Sequence, residues 1–254
     1  MEIDVCDNMV QERFFEELSM NAHPSLTTQL YDGWVLRFAN GYTKRANSIS
    51  PIYHSGLPPL EKIEHCEKLC FSKNFPAVFK LTHAFSDELD KILEDKEYKL
   101  VEPTNVMTMS LDGFEYSSGD FTFKNYADEE WLNSYFSFGN YTEEIKRETA
   151  KQIINSVQNT KFCGLIVKHG KIVACGSCVI ERGYAALLNI IVDETQRGNG
   201  YGYEICASLL GEAVRRGAVN TYLQVVQANT KAVNLYTKLG YKKLYEYWYR
   251  VKNN

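Results

Sequence analysis

The sequence predicts a mixed α/β (α+β) protein. Short apolar runs alternate with amphipathic stretches along most of the 254 residues, and glycine, proline or asparagine separates them. Apolar residues make up 44% of the chain and aromatic residues 13%, which is enough to bury a core and excludes wholesale disorder. A chain of this length forms one large domain or two ordinary ones.

The first half of the chain is predicted to alternate strands with helices. In chain order the predicted elements are two strands (residues 33–38 and 46–52), a helix (60–72), a strand (77–81) and a helix (86–96). A further strand begins near Tyr98 and returns at residues 106–111. One glycine and two prolines in residues 54–59 form the loop after the second strand. Residues 112–120 are rich in Gly, Ser and Asp and are predicted to be a linker. We therefore expect two domains, residues 1–116 and residues 117–254.

The second half is predicted to hold four helices and five strands. In chain order they are helix, helix, strand, strand, strand, helix, strand, helix and strand: residues 128–138, 143–158, 162–168, 171–181, 184–193, 200–216, 221–227, 229–240 and 243–251. Two tight hairpin turns are predicted, at residues 169–170 and 182–183. Gly217 is predicted to end the third helix, while Asn229 and Gly240 begin and end the fourth.

The charge balance bears on the class of partner. Lys and Arg number 28 and Asp and Glu 32, so the net charge is 28 − 32 = −4. A protein that holds nucleic-acid backbone is usually basic, so we expect no nucleic-acid partner. The most apolar segment, residues 185–192, is short and interrupted by Asn189, and therefore predicts no membrane span. The acidic residues 1–10 do not resemble a signal peptide.

The seven cysteines are scattered, which is typical of reduced thiols in a cytoplasmic protein. They are Cys6, Cys66, Cys70, Cys163, Cys175, Cys178 and Cys206. Cys175 and Cys178 lie three apart on a predicted strand and so face opposite sides. No second cysteine pair lies at metal-ligand spacing, and the five histidines have no ligand spacing either, so no metal site is predicted.

Residues 190–202 run from a buried strand through a glycine-rich turn into an amphipathic helix. Three glycines in five positions, Gly198, Gly200 and Gly202, let the backbone turn sharply and point its amides at one spot. Such a spot suits a phosphate or pyrophosphate, and Arg197 adds a charged donor. Any tight strand-to-helix connection can use such a turn, however, and the spacing matches neither a Walker loop nor G-x-G-x-x-G.

A second segment, residues 229–241, makes the pattern more specific. Together the two segments resemble the GNAT superfamily of acetyl-CoA-dependent N-acyltransferases. Its cofactor motif, Q/R-x-x-G-x-G/A, is matched by Arg197, Gly200 and Gly202. Its next motif, N-x-x-A-x-x-L-Y-x-K-x-G-F/Y, is matched by Asn229, Ala232, Leu235, Tyr236, Lys238, Gly240 and Tyr241. The resemblance covers residues 120–251, with the two motifs in the family's order and separation.

The resemblance implies a GNAT fold, in which a central, mostly antiparallel, twisted sheet with two splayed strands is flanked by helices. Acetyl-CoA would be the cosubstrate, and its pantetheine arm would pair with the backbone of one splayed strand. The backbone groups concerned belong to Ile190, Ile191 and Val192. Loop amides would hold the pyrophosphate, namely those of Arg197, Gly198, Asn199, Gly200, Tyr201 and Gly202. Asn229 would approach the pantetheine or a bridging water.

The implied reaction is direct attack of a primary amine on the thioester in a ternary complex. A strand amide near Ile191 or Val192 would stabilise the oxyanion, and Tyr236 would protonate the departing thiolate. The acceptor would be a small-molecule or peptide amine, and the protein a monomer or homodimer. Other interpretations of these residues stay open: Tyr236 also fits a packed core aromatic, and Asn229 a simple helix cap.

The general base is not defined by the sequence. In some relatives a glutamate on the central strand takes the proton from the amine through water. Here Asn189 is the only interior polar residue of that strand, and Glu181 is the nearest carboxylate. Glu181 also fits a solvated hairpin end, and an amine that arrives neutral needs no base.

The first half of the chain carries a looser resemblance. Residues 34–52 are similar to the N-terminal region of bacterial two-part GNAT proteins. At an offset of 236 − 93 = 143 positions, residues 79–98 align without a gap on the second half, with Ser86 as the cap opposite Asn229. Leu93 then lies opposite Tyr236, and no Gly-x-Gly run follows residue 52. The first half is thus expected to be a degenerate acyltransferase fold without cofactor, although two unrelated strand–helix–strand units would look the same.

Three functions fit these observations. The first is an N-acetyltransferase that uses acetyl-CoA and a primary amine. The second is a sensor that binds acyl-CoA without turnover, which the presence of Tyr236 disfavours. The third is a transferase of a longer acyl or aminoacyl group.

Overall fold

The computed structural model describes the backbone of residues 5–254, and the side chains of that range except residues 5–8 and 85–87. Within this range the α-helices are α1 (Val5–Ala22), α2 (Pro59–Phe71), α3 (His83–Asp95), α4 (Glu129–Phe138), α5 (Glu144–Ser156), α6 (Tyr201–Arg215) and α7 (Thr230–Leu239). The strands are β1 (Thr27–Tyr31), β2 (Trp34–Phe38), β3 (Ile49–Pro51), β4 (Ala77–Thr82), β5 (Lys99–Ser110), β6 (Phe121–Lys124), β7 (Thr160–Lys168), β8 (Lys171–Glu181), β9 (Tyr184–Val192), β10 (Asn220–Val226) and β11 (Lys242–Lys252). The predicted mixed α/β class is confirmed.

Several elements differ from the sequence-based expectation. Helix α1 and strands β1 and β6 are additional elements, and β5 is one continuous strand where a returning strand was expected. Glu102, the residue before Pro103, adopts φ +52° within β5. Helix α3 begins at His83, three residues before the predicted start, with Thr82 at the N-cap. The side chain of Ser86, the predicted cap, lies outside the described residues, as does that of Cys6.

The chain divides into two compact units, each built from separate stretches of sequence. The N-terminal unit contains residues 1–105, 226–228 and 245–254, and the C-terminal unit contains residues 106–225 and 229–244. Each unit therefore includes a strand segment from the other half of the sequence. Separate folding of residues 1–116 and 117–254 stays a prediction.

In the C-terminal unit the strand order is β5-β10-β9-β8-β7-β6. Strands β6 to β9 pair antiparallel in succession, and β9 pairs parallel with β10 after the crossover helix α6. His169-Gly170 and Arg182-Gly183 all have positive φ, as the predicted two-residue hairpin turns require. The apolar face of α6 packs against β7, β8 and β9.

In the N-terminal unit the strand order is β1-β2-β3-β4-β11. Strands β1 to β3 pair antiparallel, β3 pairs parallel with β4 after helix α2, and β11 completes the sheet antiparallel to β4. Helix α3 follows β4. The order of elements matches that of the C-terminal unit: an antiparallel meander, a helix, a parallel strand and a further helix.

The six described cysteines are free and buried, as expected for core thiols. Burial raises the pKa of Cys66, Cys163 and Cys206 to about 12, so these thiols stay protonated near neutral pH. Among the described side chains, no three His, Cys, Asp or Glu residues are grouped so as to hold a metal ion. None of the described helices is both long and apolar enough to span a bilayer.

Gly211 allows the segment after β5 to pack directly on α6. A Cβ atom there would lie 2.2 Å from the carbonyl oxygen of Tyr116. Gly211→Ala is therefore expected to lower the free energy of unfolding by about 1–3 kcal/mol, although alanine normally favours a helix interior by roughly 1 kcal/mol. Urea unfolding measures this, with Gly119→Ala as a control because a Cβ there has open space. A Gly211→Ala protein as stable as wild type would contradict this close packing.

Candidate active site

Strands β9 and β10 pair at one end and separate at the other. Their parallel register holds for three residue pairs, Asn220↔Tyr184, Thr221↔Ala185 and Tyr222↔Ala186. Beyond Ala186 the two strands are no longer paired with each other, and the main-chain groups on their facing edges are left to other partners. The predicted splay is thus present as a wedge that opens from Leu187 to Val192.

The paired end of the wedge is locked by buried hydrogen bonds. The hydroxyl of Thr221 donates to the carbonyl oxygen of Ala185 at 2.7 Å and lies 2.7 Å from the Tyr241 hydroxyl. Both side chains are buried, and burial raises the pKa of Tyr241 well above its usual value. These contacts hold the two strands together where the wedge closes.

A β-bulge bends β9 where the wedge begins to open. Ser177 lies opposite Leu188 and Cys175 opposite Ile191, so two residues, Asn189 and Ile190, oppose the single residue between them on β8. Asn189 has φ +56°, a left-handed conformation that asparagine tolerates better than most residues. Its side-chain amide donates to the Ser177 hydroxyl at 2.9 Å.

The residue opposite this bulge is Gly176. A Cβ atom on Gly176 would lie 2.6 Å from the side chain of Ile190, so glycine makes room for the bulged residue. The sequence shows the asparagine that interrupts this apolar strand, but the glycine opposite it is identified only by the strand register.

The bulge determines which backbone groups face the wedge. The amide of Asp193, just after β9, donates to the carbonyl oxygen of Val173 on the β8 side at 2.9 Å. Because successive peptide groups of a regular strand point to opposite sides, Val192 directs its N–H and C=O groups, and Ile190 its C=O group, away from β8 and into the wedge. The groups of Ile191 face β8. Two of the three predicted backbone positions therefore line the wedge.

The loop from β9 to α6 lies at the open end of the wedge. The Asp193 carboxylate accepts hydrogen bonds from the amide and hydroxyl of Thr195, both at 2.9 Å, and starts a short 3-10 helix over Glu194–Gln196. Gly198 and Gly200 then adopt φ +90° and +81°, and a Cβ on either would meet nothing within 4 Å. These two positions explain why the turn is glycine-rich.

The donors of this loop face open space. Within the described part of the chain, the amides of residues 198–202 have no hydrogen-bond acceptor, as expected for a helix N-terminus without a side-chain cap. Arg197 is exposed and lies 3.3 Å from the Glu194 carboxylate, and Asn199 donates to the Gln196 carbonyl at 3.1 Å. This set of free amides can bind a phosphate group.

Gly202 brings β9, α6 and α7 together. A Cβ on Gly202 would lie 3.3 Å from the Leu235 side chain and 3.7 Å from that of Val192. The next residue on α7, Tyr236, is buried, and its ring centroid is 6.0 Å from that of Tyr241. Tyr236 thus lies on the helix that packs against the end of the glycine loop (residues 197–202), within the hydrophobic core of the C-terminal unit.

Asn229 begins α7 as predicted. Its side-chain oxygen accepts a hydrogen bond from the Ala232 amide at 3.2 Å, and Gly240 ends the helix with φ +110°. This capping contact is local to α7 and says nothing of a ligand.

Glu181 is not brought to the open wedge. It lies at the turn between β8 and β9, opposite Tyr184, where β9 and β10 are paired. Its carboxylate accepts from the side chain of Asn159 at 3.0 Å and lies 3.4 Å from the guanidinium of Arg182. Glu181 thus lies at the hairpin end, the alternative for this residue, but its side chain is only 19% exposed and is bound by these two partners.

Comparisons with known proteins agree with this geometry. The family model described as "Probable histone acetyltransferase Rv0428c C-terminal" matches residues 10–250. The chain is 28% identical over 245 residues to the uncharacterized N-acetyltransferase YobR of Bacillus subtilis. The aligned region covers 94% of this chain and 98% of that protein. It is 28% identical over 88 residues to the ribosomal protein bS18-alanine N-acetyltransferase of Haemophilus ducreyi, covering 34% of this chain and 61% of that protein.

Solved structures share the fold at low identity. A GCN5-related N-acetyltransferase from Kribbella flavida superposes with a TM-score of 0.70 at 14% identity, over 95% of both chains. A tandem GNAT protein from the clavulanic acid biosynthesis pathway has a TM-score of 0.58 at 10% identity, over 74% of this chain and 67% of that one.

Proposed function

Since the chain belongs to the family of the Rv0428c C-terminal model, and so to the GNAT superfamily of N-acetyltransferases, we propose that it moves an acetyl group from acetyl-CoA to a primary amine. The observation that carries this proposal is the wedge between β9 and β10, with a loop of free amides at its open end. An acyl thioester on a long arm that ends in a pyrophosphate fits such a wedge.

The residues of the open end suit this cosubstrate. The backbone groups of Ile190 and Val192 would hydrogen-bond the pantetheine arm, since they point into the wedge. The amides of residues 198–202 would hold the pyrophosphate, with the Arg197 side chain at the rim; the Arg197 amide itself donates to the Glu194 carbonyl oxygen at 3.4 Å. Asn229, at the start of α7, would reach the pantetheine directly or through a water.

The proposed chemistry is a single acyl transfer. Acetyl-CoA supplies, when bound, a thioester carbonyl that a neutral amine attacks; the new C–N bond forms, the C–S bond breaks and the amine loses a proton to water. The amide of Val192 would donate to the carbonyl oxygen as negative charge develops there. Tyr236 would give its phenolic proton to the leaving thiolate and later regain a proton from solvent.

The acceptor is proposed to be a small-molecule or peptide amine in the cytoplasm. The name of the Haemophilus ducreyi relative states that it acts on an alanine of a ribosomal protein, which supports a peptide amine as one class. The buried, free thiols support a reducing compartment. No general base is assigned, because Glu181 lies at the closed end of the wedge and Asn189 is held by Ser177.

Calorimetry with the purified full chain tests the first step. Acetyl-CoA and CoA should each bind at one saturable site. Pantetheine, which lacks the pyrophosphate, should bind far more weakly. No uptake of either CoA form would overturn the proposal.

A screen of an amine library for thiol release tests the reaction itself. Release should require both acetyl-CoA and an amine. Propionyl- and longer acyl-CoA donors should react more slowly, and a faster rate with a longer donor would support the alternative of another acyl group.

A further inference from the structure

The N-terminal unit contains a loop at the same topological position as the glycine loop. In each unit a strand of the antiparallel meander leads through a loop into a helix, and the next strand returns parallel to the first. Here the loop is residues 52–58, between β3 and α2. Unlike residues 197–202, this loop already holds an anionic group, and the group comes from the protein itself.

The group is the carboxylate of Asp32, at the tip of the turn between β1 and β2. It accepts hydrogen bonds from the Leu57 amide at 2.8 Å, the Ser55 hydroxyl at 2.8 Å and the Gly56 amide at 3.1 Å. Two successive amides and a hydroxyl that converge on one carboxylate form the kind of concave donor set that binds oxyanions. These hydrogen bonds hold the pKa of the Asp32 carboxyl well below its usual range, and the one from the Leu57 amide contributes most.

A buried cation completes the donor set. The ammonium of Lys62 lies 3.2 Å from the Asp32 carboxylate, and its side chain has 0% exposure. It also donates to the Ser55 hydroxyl and to the Asp32 carbonyl oxygen, and it stacks 4.1 Å from the centre of the Trp34 ring. A fully buried ammonium needs an anion beside it, and Asp32 is the anion that this loop provides.

The turn that carries Asp32 is shaped to deliver this carboxylate. Asp32 and Gly33 have φ +39° and +78°, and a Cβ on Gly33 would lie 2.2 Å from the carbonyl oxygen of His54. The Tyr53 amide donates to the Gly33 carbonyl oxygen at 3.0 Å. The hairpin tip is therefore joined to the loop by its backbone, and its carboxylate enters from a fixed direction.

The start of α2 also differs from that of α6. Pro58 and Pro59 occupy the N-cap and first helical positions, so two amides that could bind an anion are missing. Glu61 adds a negative charge in the first turn. Among the described residues of this loop, the donors that converge on one point are those that hold the Asp32 carboxylate.

We propose that residues 55–57 and Lys62 form an oxyanion-binding site whose occupant is the Asp32 carboxylate, and that this internal occupant bars phosphate-bearing ligands from the N-terminal unit. The contrast with the glycine loop rests on the proposed function of that loop. The site in the N-terminal unit does not, since its donors and its occupant lie within the unit.

Chemical rescue of Asp32→Ala in the full chain tests this site. In chloride, the variant should unfold roughly 5–10 °C below wild type, because Lys62 loses its counter-ion. Formate or inorganic phosphate at equal ionic strength should restore at least half of that loss. Phosphate should also show saturable ³¹P line broadening with the variant that exceeds the broadening with wild type, since residues 198–202 can bind phosphate in both proteins. Asp95→Ala, which removes an exposed carboxylate, is the control. Its unfolding temperature should change between chloride, formate and phosphate only as much as that of wild type does.

A second change identifies the cation. Adding Lys62→Met to Asp32→Ala should abolish the rescue by formate and phosphate. An Asp32→Ala protein that gains no more from these anions than wild type does, or that is as stable as wild type in chloride, would overturn the proposal.

A measurement on wild type covers the case in which the variant does not fold. The side-chain ¹³C resonance of Asp32 should keep its ionised position from pH 5 to about pH 3.5, a range in which a carboxyl with the ordinary aspartate pKa of about 3.9 takes up protons. Titration of Asp32 at the ordinary value would overturn the proposal. None of these assays uses CoA, so a failure of acetyl-CoA to bind wild type would remove the proposed function and leave the rescue result intact.

Discussion

Tyr236→Phe is expected to slow acetyl transfer by about 10²-fold or more and to leave the affinity for acetyl-CoA within a few-fold of wild type. The phenyl ring keeps the packing of a buried side chain, while the hydroxyl that would protonate the thiolate is lost. Calorimetry gives the affinity, and thiol release under saturating amine gives the rate.

Tyr241→Phe is the matched control for that experiment. Tyr241 is also buried, and its ring lies 6.0 Å from that of Tyr236, but its hydroxyl is bonded to Thr221 at the closed end of the wedge. Its loss should lower the free energy of unfolding by about 1 kcal/mol and change the transfer rate little. Equal rate losses in the two variants would indicate that Tyr236 acts through packing, and an unchanged rate in Tyr236→Phe would remove its role as the acid.

Gly200→Asp is expected to weaken acetyl-CoA binding by about 10²-fold or more, since a carboxylate beside a bound pyrophosphate costs several kcal/mol. Gly200 lies at the start of α6 among amides that have no acceptor within the described residues. A side chain there enters open space, so it would reach the position proposed for the pyrophosphate without disturbing the core.

Gly200→Asn separates charge from shape. Asparagine and aspartate have nearly the same size, and both tolerate the positive φ of this position better than other residues do. The asparagine variant should therefore bind acetyl-CoA within about tenfold of wild type, and both variants should unfold at similar temperatures. If the two variants bind equally well, the loop does not hold the pyrophosphate.

The parts of the site that could be predicted from sequence are those set by local geometry. The glycines at 198 and 200 adopt the positive φ values that only such residues take easily, and Asn229 caps the helix that Gly240 ends. The hairpin turns at 169–170 and 182–183 are equally local. Each of these features depends on a few neighbouring residues, so a short pattern contains the whole cause.

The parts that were missed depend on contacts between distant residues. Strand β1 is almost fully exposed and has no alternating pattern, so only its pairing with β2 makes it a strand. The bulge at Asn189 exists because Gly176 on the neighbouring strand leaves room for Ile190. Helix α1 is different: Phe15, Leu18 and Ala22 are buried at helical spacing, a signal that the sequence did contain.

The origin of β11 has a consequence for synthesis on the ribosome. Residues 77–82 of β4 pair with residues 247–252, which are synthesised much later. The N-terminal unit therefore emerges with one edge of β4 unpaired and waits for about 160 further residues, which at typical elongation rates takes on the order of ten seconds or more. An open strand edge of this kind invites pairing with other chains, so the nascent protein should depend on chaperones until β11 has been synthesised.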